Sequence, residues 1–334
     1  MTKILLTVVC LLVLFISCNK NDLFKKNPDV DNQDLISGNI CVSDEILQAE
    51  ISTNSKRAKY LEDLEVKTQT YRGREIENAR IAGKLYLPVV IHIVHIDPNI
   101  ISDAQIKTQL DVWNNDFNKM NTELNNSSVY LAGYSYNSVA NCQIEFYVSQ
   151  IVRQATTVTA FDFYTDQRND MKKTAAGGSD PIDPATKLNV WVSDNTPNGI
   201  SWAQFPGGSL ETDGIVIDYA FFGTNNPSYL GRVGTHEVGH WLNLRHIWGD
   251  NTCGNDFVKD TPDHNDKNTG CPLPGLKSTC SRKPLMMWMN YMDYSWGKCR
   301  YMFSTGQKNR MDAAIDNARK AYFSTIKLYP EIVF

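Results

Sequence analysis

His236, Glu237, His240 and His246 are the side chains whose types and spacing could do chemistry together. Two histidines four residues apart stand one turn apart on a single helix face, the arrangement in which a tetrahedral zinc takes a pair of imidazoles. His246, six residues on, cannot join them from a straight helix. The chain must therefore turn after His240, and Asn243 is the residue that tolerates the left-handed backbone of such a turn. Three protein ligands leave a fourth position for water, whose pKa zinc brings toward neutrality. Glu237 stands beside that position as the base. The competing reading is a pair of core histidines spaced this way by chance. The third histidine and the apolar helical context of Val233, Val238, Trp241 and Leu242 argue against it. His92 and His95, three apart in a strand-like run, face opposite sides and read as packed or edge histidines.

A helix carrying the motif needs a scaffold, and the pattern supplies one. Residues 85–96 are apolar and β-branched, as in a buried strand. Ser102-Asp103 starts a helix whose Ile106, Leu110, Trp113 and Phe117 recur at helical spacing. Further strands are expected at 143–151, 188–192, 201–205 and 214–219. After the motif come about fifty residues of loop rich in Gly, Pro, Asp and Cys, which need pinning by disulfides or metal. A last helix is expected over 305–321.

The 334-residue chain is 42% hydrophobic and 21% charged, with a net charge of −4. That is the balance of a soluble globular protein and excludes a nucleic-acid binder driven by basic charge. Lys3 followed by the apolar run 4–16 reads as a signal peptide. Phe15-Ile16-Ser17-Cys18 resembles a bacterial lipobox, with Phe15 where Leu is usual, so Cys18 is expected to be acylated. Residues 1–18 form the leader, 19–81 a tether and inhibitory segment, and 82–334 the catalytic domain. The upper part of that domain runs to about 246 and the lower part over 247–334. Ser43-Asp44-Glu45 reads as a capped helix start; Arg72, Arg74 and Arg80 read as exposed cleavage points. Outside the cytoplasm disulfides persist. Cys253, Cys271, Cys280 and Cys299 allow three connectivities. Cys142 reads as a buried free thiol, with a Cys41–Cys142 disulfide as the alternative.

The segment from Thr235 to His246 resembles the extended zinc signature of the metzincin metallopeptidases, with Asn243 in place of the usual Gly. Asn290-Tyr291-Met292-Asp293-Tyr294 resembles their methionine turn. The similarity is closer to the pappalysins and extends from about Cys41 to Met311, through 202–208, 213–219 and 303–307. It implies an α+β fold. The upper subdomain would have a twisted, mixed five-stranded sheet, a backing helix and the active-site helix. The lower one would be irregular, with the Met-turn and a C-terminal helix. The resemblance implies a zinc endopeptidase acting on extended protein or peptide substrates bound along the sheet's antiparallel edge strand. Glu237 would be the base, Tyr294 the oxyanion donor and Met292 the apolar floor under the zinc. It also implies the pairings Cys253–Cys280 and Cys271–Cys299, and calcium in the loop holding Asp256, Asp260 and Thr261.

Cys41-Val42-Ser43-Asp44-Glu45 resembles the latency motif of related prosegments, with Val42 where Gly is usual. Cys41 would hold the fourth zinc position until the segment is cut. Where related enzymes that prefer a basic residue after the scissile bond carry an acid before the loop's last cysteine, this chain has Lys298, which implies no strict arginine preference. The expected protein is an exported monomer, a membrane-anchored lipoprotein of a bacterial envelope or a secreted enzyme. It would touch a membrane only through the N-terminal lipid. A surface-anchored binding protein with a structural zinc, and a hydrolase of non-protein amides, are the alternatives.

Overall fold

The computed structural model describes residues 41–71, 80–126, 133–165, 167–196 and 199–323. The leader, most of the tether, Cys18, Arg72 and Arg74 lie outside them. Five strands form one mixed sheet in the order β2-β1-β4-β7-β6: β1 (Leu85–His95), β2 (Ile144–Ala155), β4 (Leu188–Ser193), β6 (Trp202–Ala203) and β7 (Ile215–Asp218). The first four in that order are mutually parallel, and β6 runs antiparallel to β7 at the edge. A separate parallel pair joins β3 (Phe161–Asp162) to β5 (Asn195–Thr196). β1 is buried almost throughout, which is why it reads as a continuous apolar run rather than an alternating one.

The backing helix Asp103–Phe117 begins where Ser102 Oγ accepts the Gln105 amide at 3.2 Å. Its Trp113 and Phe117 rings pack on Phe146 of β2 with centroids 5.5 and 5.1 Å apart. His92 and His95 are packed residues, as expected. His92 bonds Ser179 Oγ and Asn189 Oδ1 and stacks on Trp191; His95 pairs with the backbone of Asp97.

The expected last helix is broken into three parts: α-helix Thr305–Ala314, π-helix Ile315–Arg319 and α-helix Lys320–Phe323. The widened turn delivers Arg319 to the active-site helix. Its guanidinium lies 3.8 Å from the Trp241 ring centroid, Nε donates to the Trp241 carbonyl at 2.7 Å, and Nη1 pairs with Asp213 at 2.7 Å. Two helices precede the sheet, Ser43–Thr53 and Ser55–Thr70. Ser43 does not cap the first; Val42 occupies the N-cap with no side-chain bond. Arg80 is not an exposed cleavage point. Its side chain is buried, donates to the Gln143 carbonyl at 3.1 Å and pairs with Asp312 at 3.3 Å.

One buried carboxylate ties the layers together. Asp116, on the backing helix, pairs with Arg232 at 3.3 Å and accepts Thr235 Oγ1 at 2.8 Å and the Tyr291 hydroxyl at 2.6 Å. Those partners open the active-site helix and precede Met292. Asp116→Ala leaves a buried guanidinium short of its main counter-charge, so a loss of about 3–5 kcal/mol is expected. Denaturant unfolding of the variant checks this; a loss under about 1 kcal/mol contradicts it.

Candidate active site

The helix Arg232–Trp241 is buried along its whole length, so its polar side chains must find partners inside the protein. At its end Asn243 takes φ +72°, and the Leu244 amide returns to the Gly239 carbonyl at 2.9 Å. Arg310 Nε holds the Asn243 carbonyl at 2.7 Å. The turn required by the spacing is therefore present, on the expected residue, and it brings His246 back under the helix.

The three imidazoles converge. His240 Nε2 lies 3.0 Å from His236 Nε2 and 3.1 Å from His246 Nε2. The far nitrogens are held by acceptors: His236 Nδ1 by the Tyr291 carbonyl at 2.7 Å, His240 Nδ1 by the Leu244 carbonyl at 2.8 Å, His246 Nδ1 by Asp250. A carbonyl takes the proton on Nδ1 and leaves Nε2 as a lone pair. Three lone pairs facing one another in a buried site repel unless a cation lies between them, so the donor set fits a divalent metal with nitrogen preference. Burial holds His236 and His240 well below the usual histidine range, which keeps them neutral and able to ligate. At His246 burial acts the same way, but the Asp250 carboxylate outweighs it and raises the pKa. The Cys41 thiol completes the cluster, its ligand atom within 4.8 Å of the others.

Glu237 is fully buried. Its Oε2 accepts from Ser43 Oγ at 3.0 Å and from the Cys41 thiol at 3.6 Å; its Oε1 has no partner. Burial pushes the carboxyl up to about 8, against the pull of those two bonds. Ser43 Oγ also accepts the Ala203 amide of the edge strand at 2.8 Å. The Tyr294 hydroxyl donates to the Cys41 carbonyl at 2.6 Å. Cys41 itself bridges Ser201 in parallel sense, just before β6. The segment around Cys41 thus fills the cleft between edge strand, helix and Tyr294. Ser43 escaped the sequence reading because its position suggested a helix cap.

Below the histidines, Met292 is fully buried and its sulfur sits directly on the helix: a Cβ at Gly239 would lie 2.5 Å from Met292 Sδ. Asn290 and Gln307 exchange reciprocal amide bonds of 2.7 and 2.9 Å, tying this turn to the C-terminal helix. The Asp293 carboxylate is taken up by the Asn268 amide and side chain at 2.7 and 2.6 Å. Lys298 is exposed, its Nζ 4.6 Å from the Trp296 ring centroid, and does not line the site. The buried cation there is Arg300, which the sequence reading missed. Its signal was a lone arginine between Cys299 and the apolar 301–303.

The lower loop is stapled by Cys253–Cys280 and Cys271–Cys299, while Cys41 and Cys142 are free and buried. Asp256 accepts Thr261 Oγ1 at 2.7 Å and the Val258 amide at 3.0 Å. Asp260 accepts Ser304 Oγ at 2.7 Å and the Gly306 amide at 2.8 Å, at the start of the C-terminal helix.

Fold and site together define a metzincin-type metallopeptidase. A family model described as pregnancy-associated plasma protein-A, a peptidase family, matches residues 179–316. Mature mirolysin of Tannerella forsythia, solved with a cleaved peptide, is 34% identical. That match covers 72% of this chain and 96% of mirolysin, with a TM-score of 0.65. A promirolysin variant of the same organism is 30% identical over 85% of this chain and 96% of its own, with a TM-score of 0.72. An extracellular metalloprotease of Colletotrichum graminicola is 29% identical over 271 residues, 74% of this chain and 84% of that protein. The chain belongs to the pappalysin family of metalloendopeptidases.

The contact between Gly239 and Met292 yields a test of how the site is packed. Gly239→Ala is expected to destabilise the zinc-loaded protein by about 1–3 kcal/mol through overpacking. Met292→Ala in the same chain should recover part of that loss. A double-mutant cycle measures it; additivity within about 0.5 kcal/mol would show that the two groups do not meet.

Proposed function

We propose that this chain is an exported zinc-dependent endopeptidase made in latent form. The observation that carries the reading is the convergence of three imidazole Nε2 atoms beside a buried carboxylate with one unpartnered oxygen. His236, His240 and His246 hold the zinc, which when bound acidifies a water and polarises the scissile carbonyl. Glu237 takes the water's proton and returns it to the leaving amine. The Tyr294 hydroxyl, engaged here by the Cys41 carbonyl, turns to the substrate carbonyl as charge develops on its oxygen. The substrate main chain adds to the edge strand β6, where Ser201 now pairs with Cys41.

Latency follows from what residues 41–71 occupy. Cys41 stands where the fourth ligand belongs, and Ser43 holds the base. The segment is anchored on both sides of the cleft. Asp44 pairs with Arg245 at 3.0 Å, Arg57 donates to the Phe205 and Pro206 carbonyls, and Glu65 binds Arg310 through two bonds of 3.0 and 2.7 Å. The wider match to promirolysin than to mature mirolysin supports the same reading. Removal of the segment, by cleavage in the stretch that includes Arg72 and Arg74, frees the cleft. A permanent structural zinc would take its fourth ligand from the catalytic domain, not from this segment.

Export is supported by the leader sequence and by relatives named as extracellular; acylation of Cys18 and a monomeric state belong to the same proposal. Calcium has no comparable support, because Asp256 and Asp260 spend their carboxylates on protein donors. Zinc is the metal assigned.

Casein digestion by the processed protein, with and without a chelator, tests the activity. Glu237→Ala is expected to retain zinc and lose about 100-fold or more in kcat. Near-normal turnover by that variant contradicts the role. Ser43→Ala, which frees the base from one of its two bonds, should mature faster than the parent chain. A maturation time course shows this, and an unchanged course removes Ser43 from the latency device.

A further inference from the structure

Arg300 is an unusual group to find beside an active centre. It is 3% exposed, and its Nη1 donates to two main-chain carbonyls, Asp293 at 2.8 Å and Tyr291 at 3.2 Å. Its Nε is buried with no acceptor. Among the described residues no carboxylate stands within ion-pair distance of it. Asp293, which precedes it in space, turns its carboxylate to Asn268 instead. By contrast Arg232, the neighbouring buried guanidinium, has both Asp116 and Glu123. A guanidinium buried with no ion pair, on which Asp293 and Glu237 act only from beyond contact distance, is costly, and such groups are ordinarily paired.

The place of Arg300 supplies the missing partner. It lines a small cavity with Val233, His236, Glu237 and Tyr294, closed on the remaining side by Cys41. When the latency segment leaves, the cavity opens into the peptide-binding cleft. Glu237 hands its proton to the leaving amine, so a cavity walled by Glu237 lies on the leaving-group side. It receives the side chain of the residue that follows the scissile bond. Val233 and the imidazole wall offer apolar surface to an aliphatic stem, and Arg300, whose Nε–H has no acceptor, lines the same cavity. A planar guanidinium with an open N–H is the group that binds a carboxylate most strongly.

We infer that Arg300 makes this peptidase select a glutamate or aspartate in the residue following the scissile bond, a specificity that rests on the peptidase reading above. The same cation repels an arginine or lysine at that position.

The test uses the zinc-loaded full chain, activated by limited trypsin digestion and quenched with a trypsin inhibitor. Four amidated peptides differ only in the residue after the scissile bond: Glu, Gln, Leu or Arg. A fifth ends in a free carboxylate one residue after that bond. The expected result is kcat/KM for Glu roughly tenfold or more above Gln, with Arg the poorest. Arg300→Met should abolish the Glu-over-Gln preference while still cleaving the Leu peptide. If that variant does not fold, the comparison within the parent enzyme decides. Equal rates for Glu and Gln, a preference for Arg, or a preference confined to the free carboxylate each overturn the inference and leave the peptidase reading standing. No cleavage of any peptide overturns the peptidase reading, and the inference with it.

Discussion

Three imidazole lone pairs brought within about 3 Å of a shared point in a buried site form an arrangement that a protein does not hold unless something positive is to sit among them. Much of the rest of the structure serves that convergence. Two of the histidines need a helix, and the helix is buried on every side, so its polar groups are met from the backing helix through Asp116 and from the C-terminal helix through Arg319. The third histidine needs the chain to reverse within three residues. The reversal depends on Asn243 in a left-handed conformation and on Arg310 holding its carbonyl. The floor is Met292, fitted so closely that only glycine is accommodated at 239.

The segment at the N-terminal side of the sheet fills this site. Residues 41–71 meet several of its polar groups in turn. The thiol joins the three imidazoles, the Ser43 hydroxyl donates to Glu237, and the Cys41 carbonyl accepts from the Tyr294 hydroxyl. On the proposed mechanism, each of these contacts stands where water or substrate would bind. The segment's strand sense at Ser201 is parallel, however. Distant anchors keep it in place. Tyr60 rests on Gly207, where a Cβ would fall 2.1 Å from its ring, and Glu65 shares Arg310 with the active-site turn. Loss of the segment therefore also changes the environment of the residue that holds the turn.

The convergence of His236, His240 and His246 beside Glu237, the turn at Asn243 and most of the elements under them were legible in the sequence. Spacing on a helix and a run of β-branched residues carry geometry directly. The disulfide pairs and the Met-turn came from family resemblance, because spacing alone cannot order four cysteines. Side-chain direction was not legible. Ser43 looked like a helix cap and instead points into the cleft; Lys298 is exposed and lies against Trp296. Arg300, two residues away, is the buried cation that lines the cavity beside Glu237. Arg80 looked exposed because it is charged, yet it is buried against Asp312. Each of these depends on long-range packing that local sequence does not encode.

The central claim is that one metal position passes from Cys41 to a water when the segment is removed. Zinc-edge X-ray absorption on the full chain carrying Glu237→Ala, which prevents self-cleavage, tests it most directly. The account predicts three nitrogen ligands and one sulfur at about 2.3 Å, with the sulfur lost when Cys41→Ala is added. A spectrum of light atoms alone in the parent, or one unchanged by Cys41→Ala, would contradict it.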